Sequence, residues 1–125
     1  FTAGTTVGTV TALATDGNGV SGSGAVTIEQ PTITVIPVAR TIPNLPVPTA
    51  AASVTVTFTA SGGTAPYTYN LSGLSAAAVA QAAFTINLTT GVYTQTALPA
   101  ADETITITAT DSFGDTGTTT LIVLS

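Results

Sequence analysis

The side chains able to hold a cation or move a proton are few, and four of them fall in two glycine-containing turns. Asp16 and Asn18 fall in Asp16-Gly17-Asn18-Gly19, and Asp111 and Asp115 bracket Ser112-Phe113-Gly114. Oxygen-rich turns can hold calcium, so Asp16, Asn18, Asp111 and Asp115 are the candidate calcium ligands, and calcium is the one candidate cofactor. Each turn carries only one or two carboxylates, fewer than a dedicated calcium loop supplies. An Asp in a turn ordinarily accepts backbone hydrogen bonds instead, and that is the expected role here. Asp102 and Glu103 are adjacent, so on a strand they point to opposite faces; they read as solubilising loop residues rather than an acid–base pair. Ser and Thr are abundant, but the chain contains no His or Cys and its single basic residue is Arg40. No hydroxyl therefore has a His or Lys to activate it, and no zinc or copper site of the usual kind can form. We expect no enzyme and no catalytic residue.

The charge balance excludes another class. One basic and six acidic residues give a net charge of −5, which cannot neutralise a phosphate backbone, so no nucleic-acid partner is expected. No apolar run approaches the roughly 20 residues of a membrane-spanning helix. Only 6% of the residues are charged although 44% are hydrophobic. The surface must then be dressed with hydroxyls and amides, which suits association or a coat of sugar. Two triplets, Asn70-Leu71-Ser72 and Asn87-Leu88-Thr89, make Asn70 and Asn87 candidate glycan acceptors in a secreted chain. Tyr67, Tyr69 and Tyr93 could line a sugar-binding surface; on alternating strands they are expected at a sheet edge with their hydroxyls wet. The chain begins at Phe1 rather than Met, which reads as a processed chain or an excised piece.

The elements that position these residues are strands. Roughly a quarter of the residues are Thr, and Cβ-branched residues fit the pleat. Val54-Thr55-Val56-Thr57-Phe58-Thr59-Ala60 and Ile105-Thr106-Ile107-Thr108-Ala109-Thr110 alternate with period two, and Phe84, Ile86 and Leu88 make a third set. Weaker strands are expected near 6–15, 23–36, 65–71, 91–97 and 117–124, separated by Gly-rich turns. Some eight short strands predict an all-β fold, an Ig-like or jelly-roll-type antiparallel β-sandwich. Pro37, Pro43, Pro46 and Pro48 mark 37–50 as a linker, crossover or edge segment. Ala-rich 74–83 can form two turns of helix.

One phrase occurs twice. Thr9-Val10-Thr11-Ala12-Leu13-Ala14-Thr15-Asp16-Gly17-Asn18-Gly19 returns as Thr104-Ile105-Thr106-Ile107-Thr108-Ala109-Thr110-Asp111-Ser112-Phe113-Gly114, with Asp16 matching Asp111 at a distance of 95 positions. Each copy is followed by a second strand, at 24–28 and 118–123. Residues 1–30 thus read as an extra N-terminal hairpin or donated strand, 31–52 as a Pro-rich connector with a first edge strand, and 53–125 as the sandwich body. Counted by the repeat, a complete unit runs over 32–125.

Residues 53–125 resemble the Ig-like, cadherin-like repeats of bacterial and archaeal surface proteins. The matching residues are Ser61-Gly62-Gly63-Thr64-Ala65-Pro66-Tyr67-Thr68-Tyr69-Asn70-Leu71-Ser72-Gly73-Leu74, then Thr89-Thr90-Gly91-Val92-Tyr93, then Ile107 to Gly114. The Ala-rich 75–83 departs from the short Pro-Gly turn usual there, and the family usually occurs in long tandem arrays. The resemblance implies a sandwich fold, a place at the cell surface and a role as spacer or adhesive element, and modules of this kind often hold calcium.

Two functions follow as expectations. The first, which the sequence favours, is a structural subunit of an extracellular, pilus-like filament, a homopolymer assembled head-to-tail by β-strand addition. Val10, Ala12, Ala14, Val26 and Ile28 would be the residues laid into a neighbour, since burying a large apolar side chain is worth roughly 1.5–3 kcal/mol. The second is a spacer or adhesion module of a large tandem-repeat surface protein, in which 1–30 is the stub of the preceding repeat.

Overall fold

The computed structural model describes residues 7–42 and 53–125, and these divide into two compact units, one ending at Pro31 and the other running from Thr32 to Ser125. The first is a two-stranded antiparallel hairpin of β1 (Gly8–Thr15) and β2 (Ser21–Ile28), in register from Gly8↔Ile28 to Thr15↔Ser21.

The second unit is an all-β sandwich with one short helix. Its strands are β3 (Thr34–Ile36), β4 (Arg40–Ile42), β5 (Val54–Thr57), β6 (Thr59–Ser61), β7 (Thr68–Ser72), β8 (Phe84–Ile86), β9 (Val92–Gln95), β10 (Glu103–Thr110) and β11 (Thr116–Val123), with α1 (Ala76–Gln81) between β7 and β8. One sheet has the order β4-β11-β10-β7, a second β5-β9-β8, and β3 pairs with β6. All pairings are antiparallel except β4 with β11, which is parallel. None of the described sheets closes into a barrel.

The core follows the alternation in the sequence. Ile105, Ile107 and Ala109 of β10 and Leu121 and Val123 of β11 are fully buried and share one core with Val35, Val56, Phe58, Tyr69 and Tyr93. In β10 the alternating Thr104, Thr106 and Thr108 are exposed or half-buried, whereas Thr119 of β11 is buried. β5 and β6 are one alternating run that breaks its ladder at Phe58, whose N–H donates to the Gly91 carbonyl at 2.9 Å. Val56, Phe58 and Ala60 stay on the inner face across the break.

Two expectations change. The single strand placed at 23–36 is two, β2 and β3, separated by a segment containing Pro31, which has no N–H for a ladder. Leu88 does not continue the Phe84–Ile86 alternation; it lies in the turn after β8 and is 60% exposed. Residues 40–42 of the Pro-rich segment form an edge strand, and 43–52 lie outside the described residues. The Ala-rich stretch does form a helix, six residues long, with Ser75 as N-cap: its Oγ accepts from the Ala78 N–H at 3.2 Å.

Candidate functional site

The structure repeats what the sequence repeats, residue for residue. β1 and β2 span Gly8–Thr15 and Ser21–Ile28; β10 and β11 span Glu103–Thr110 and Thr116–Val123, 95 positions on in every bound. The registers correspond as well: Gly8↔Ile28 becomes Glu103↔Val123, and Thr15↔Ser21 becomes Thr110↔Thr116.

The two turns share one hydrogen-bond pattern. In the first, Asp16 N–H donates to the Val20 carbonyl at 2.9 Å and Gly19 N–H to the Asp16 carbonyl at 3.1 Å. Asp16 Oδ1 accepts from Asn18 N–H and Val20 N–H, both at 2.9 Å. In the second, Asp111 N–H donates to Asp115 at 2.9 Å and Gly114 N–H to Asp111 at 3.2 Å. Asp111 Oδ1 accepts from Phe113 N–H and Asp115 N–H, again at 2.9 Å. Gly19 and Gly114 supply the left-handed residue at φ 82° and 92°.

The calcium candidates therefore sit in two separate turns, Asp16 with Asn18 and Asp111 with Asp115. Among the described residues no group of three or more acidic, His or Cys side chains comes together. Asp111 is buried, and its second oxygen, Oδ2, accepts from Thr64 N–H at 2.9 Å. That bond, aided by the turn amides, holds the Asp111 carboxyl below the usual carboxylate range. Its chemistry is to lock the turn and tie it to the loop before β7.

The corresponding faces of the two hairpins differ in environment. Ile105, Ile107, Ala109, Leu121 and Val123 are the buried face of β10–β11. Ninety-five positions earlier stand Val10, Ala12, Ala14, Val26 and Ile28. In the hairpin β1–β2 the first four are exposed and Ile28 is half-buried; Val10 is 40% and Val26 46% exposed.

A second correspondence escaped the sequence reading. Gly117 of β11 lies against the backbone: a Cβ there would sit 2.2 Å from the Ile33 carbonyl oxygen. Gly22 of β2 occupies the same place in the first hairpin, and a Cβ there would meet nothing within 4 Å. The signal was available, since both are glycine at the period of 95.

The remaining polar candidates are structural. Glu103 is buried rather than a loop solubiliser: its carboxylate accepts from Ser75 N–H at 2.9 Å and from Ser75 Oγ, so it holds the helix cap. Asp102 accepts from the Ser125 N–H at 2.8 Å and the Ser125 hydroxyl at 2.9 Å, which lowers its pKa. Two of the tyrosines are not wet edge residues. Tyr69 is buried and its hydroxyl accepts from Ala60 N–H at 3.0 Å. Tyr93 is 0% exposed, its hydroxyl has no hydrogen-bond partner among the described residues, and burial pushes its pKa up. Tyr67 is half-buried and donates to the Gly62 carbonyl.

Asn70, in β7, and Asn87, in the turn after β8, are both exposed. Asn87 Oδ1 accepts from Thr89 N–H at 3.0 Å and Thr90 N–H at 2.9 Å. An open depression of about 370 Å³ lined by Ile36, Pro37, Arg40, Thr55, Val56, Thr57 and Thr59 holds the chain's one cation. Among the described residues its other lining side chains are apolar or hydroxyl. Among the described residues no helix is long and apolar enough to cross a membrane. No family model matches the chain, and a search of curated proteins found no match.

Proposed function

We propose that this chain is a structural, non-catalytic part of an extracellular or cell-surface protein, in which β-sandwich bodies follow one another at a period of 95 residues as spacers. The observation that carries the reading is the recurrence of the β10–β11 hairpin as β1–β2, with the same strand bounds, register and turn bonds. A closing hairpin followed by a whole body is what a tandem array shows across about one period and a third. The charge-poor, Thr-rich composition supports a place outside the cell, where lateral contact or glycan at Asn70 and Asn87 would cover a hydroxyl surface. The absence of His, Lys and Cys from the sequence supports a mechanical rather than a chemical role.

The filament assembled by strand addition is the second reading. It is favoured by the exposed apolar positions of β1 and β2, which gain by being covered from outside the hairpin. Against it stands the sheet order β4-β11-β10-β7: in an identical copy, the place fit for such a hairpin is already held by β10 and β11, with a strand on either side.

Electron microscopy of native material separates the two. Rods of fixed length, unchanged by dilution, support the array; fibres that lengthen with concentration support strand donation. Antibody against residues 32–125 should label intact cells, and labelling only after permeabilisation would overturn the surface assignment.

A further inference from the structure

The glycine pair and the aspartate pair together say what covers the first hairpin. Gly117 has to be glycine because the Ile33 carbonyl occupies the space of a side chain, whereas Gly22, at the same register position, faces open space. Neither has a positive φ, so no turn geometry demands glycine at either. A strand interior loses stability by carrying glycine, and one compensation is a close backbone approach. Likewise Asp111 spends Oδ1 on its own turn and Oδ2 on Thr64, which belongs to the body. Asp16 makes the same two turn bonds through Oδ1. The apolar face of β1–β2 repeats the positions that face the core in β10–β11.

We infer that β1–β2 is the closing hairpin of a second sandwich body built like residues 32–102 and placed ahead of it in the chain. This rests on the array reading only in taking that body from the same polypeptide. In the joined state a β7-like strand pairs antiparallel with β1 and a β4-like strand pairs parallel with β2, as β7 and β4 do with β10 and β11. A carbonyl equivalent to that of Ile33 lies against Gly22. An N–H equivalent to that of Thr64 donates to Asp16 Oδ2. Val10, Ala12, Ala14, Val26 and Ile28 become the floor of that body's core.

The test is a two-body chain in which residues 31–102 are joined directly ahead of residue 8, followed by 8–125 unchanged. Amide hydrogen exchange is read in β1 and β2 and compared with the 125-residue chain. The outward-facing amides of both strands should slow by about 100-fold or more, as ladder bonds add on each side, while the exchange of β10 and β11 is unchanged. Gly22→Val should abolish that slowing in the two-body chain and leave the 125-residue chain unaltered. The inference is overturned if the added 31–102 stays unfolded, or if β1–β2 exchange does not slow. It is equally overturned if Gly22→Val leaves the slowing intact, or if protection appears only with concentration-dependent dimers. Failure here would remove the hairpin's assignment and leave surface location standing; failure of the cell-labelling experiment would do the reverse.

Discussion

The Thr64 N–H donates to Asp111 Oδ2 at 2.9 Å across 47 residues, joining the loop before β7 to the turn between β10 and β11. The Ser112 N–H returns a bond to the Thr64 carbonyl at 3.0 Å. The carboxylate is favoured over the acid in the folded chain, so its folded pKa lies below the unfolded value of about 3.9. Its stabilising effect is complete above that value and disappears as pH falls through the folded pKa. Asp102, lowered by Ser125, acts in the same direction. Thermal unfolding from pH 7 down to about 2.5 should show a midpoint that falls below pH 4. Asp111→Asn should start from a lower midpoint at pH 7 and fall less steeply; an unchanged acid slope would refute the role given to Asp111.

Gly117→Ala and Gly22→Ala should part company in the 125-residue chain. The first drives a Cβ to 2.2 Å from the Ile33 carbonyl oxygen and 2.8 Å from its carbon, so the backbone must shift. Urea unfolding of residues 32–125 should show a loss of about 2 kcal/mol or more. The second meets nothing within 4 Å and should stay within about 0.5 kcal/mol of the parent. Equal effects would mean that the close approach does not govern the choice of glycine.

Two buried tyrosines predict opposite signs. Tyr69→Phe removes the acceptor of the buried Ala60 N–H and should cost about 1–2 kcal/mol. Tyr93→Phe removes a buried hydroxyl that has no partner among the described residues and should be neutral or stabilising by about 1 kcal/mol. Denaturant midpoints of the two variants decide this, and a clear loss in Tyr93→Phe would contradict the environment described for that hydroxyl.

Much of this was written in the alternation. Ile105, Ile107 and Ala109 read as an inner face because Thr separates them, and they are the core. The hairpin repeat was legible because its turn needs Asp at the first position and Gly at the fourth, and both copies keep them. Depth was not legible. Period two places Tyr93 and Gln95 on one face but cannot say that β9 lies between β5 and β8, where that face is sealed. Glu103 misled for a related reason: beside Asp102 it looks like an acidic loop, and only folding brings Ser75, 28 residues earlier, onto its carboxylate. Thr64 carries no sequence mark, since its backbone N–H is what binds.

Proteolysis checks the placement of β4. Arg40 is the chain's only Lys or Arg, and it pairs with Leu121 in the parallel ladder between β4 and β11. A protease needs an extended, free backbone, so trypsin should leave the folded chain intact and cut the unfolded chain once, giving 1–40 and 41–125. Rapid cleavage under native conditions would contradict the β4–β11 pairing.

The central claim is that one covalent chain carries these bodies in series, and the intact mass of the native protein under fully denaturing conditions tests it most directly. The array predicts a single polypeptide well above the 12.2 kDa of these 125 residues, longer by at least the body that β1–β2 closes. A native chain of 12.2 kDa that assembles into fibres once denaturant is removed would contradict the array and restore strand donation between copies.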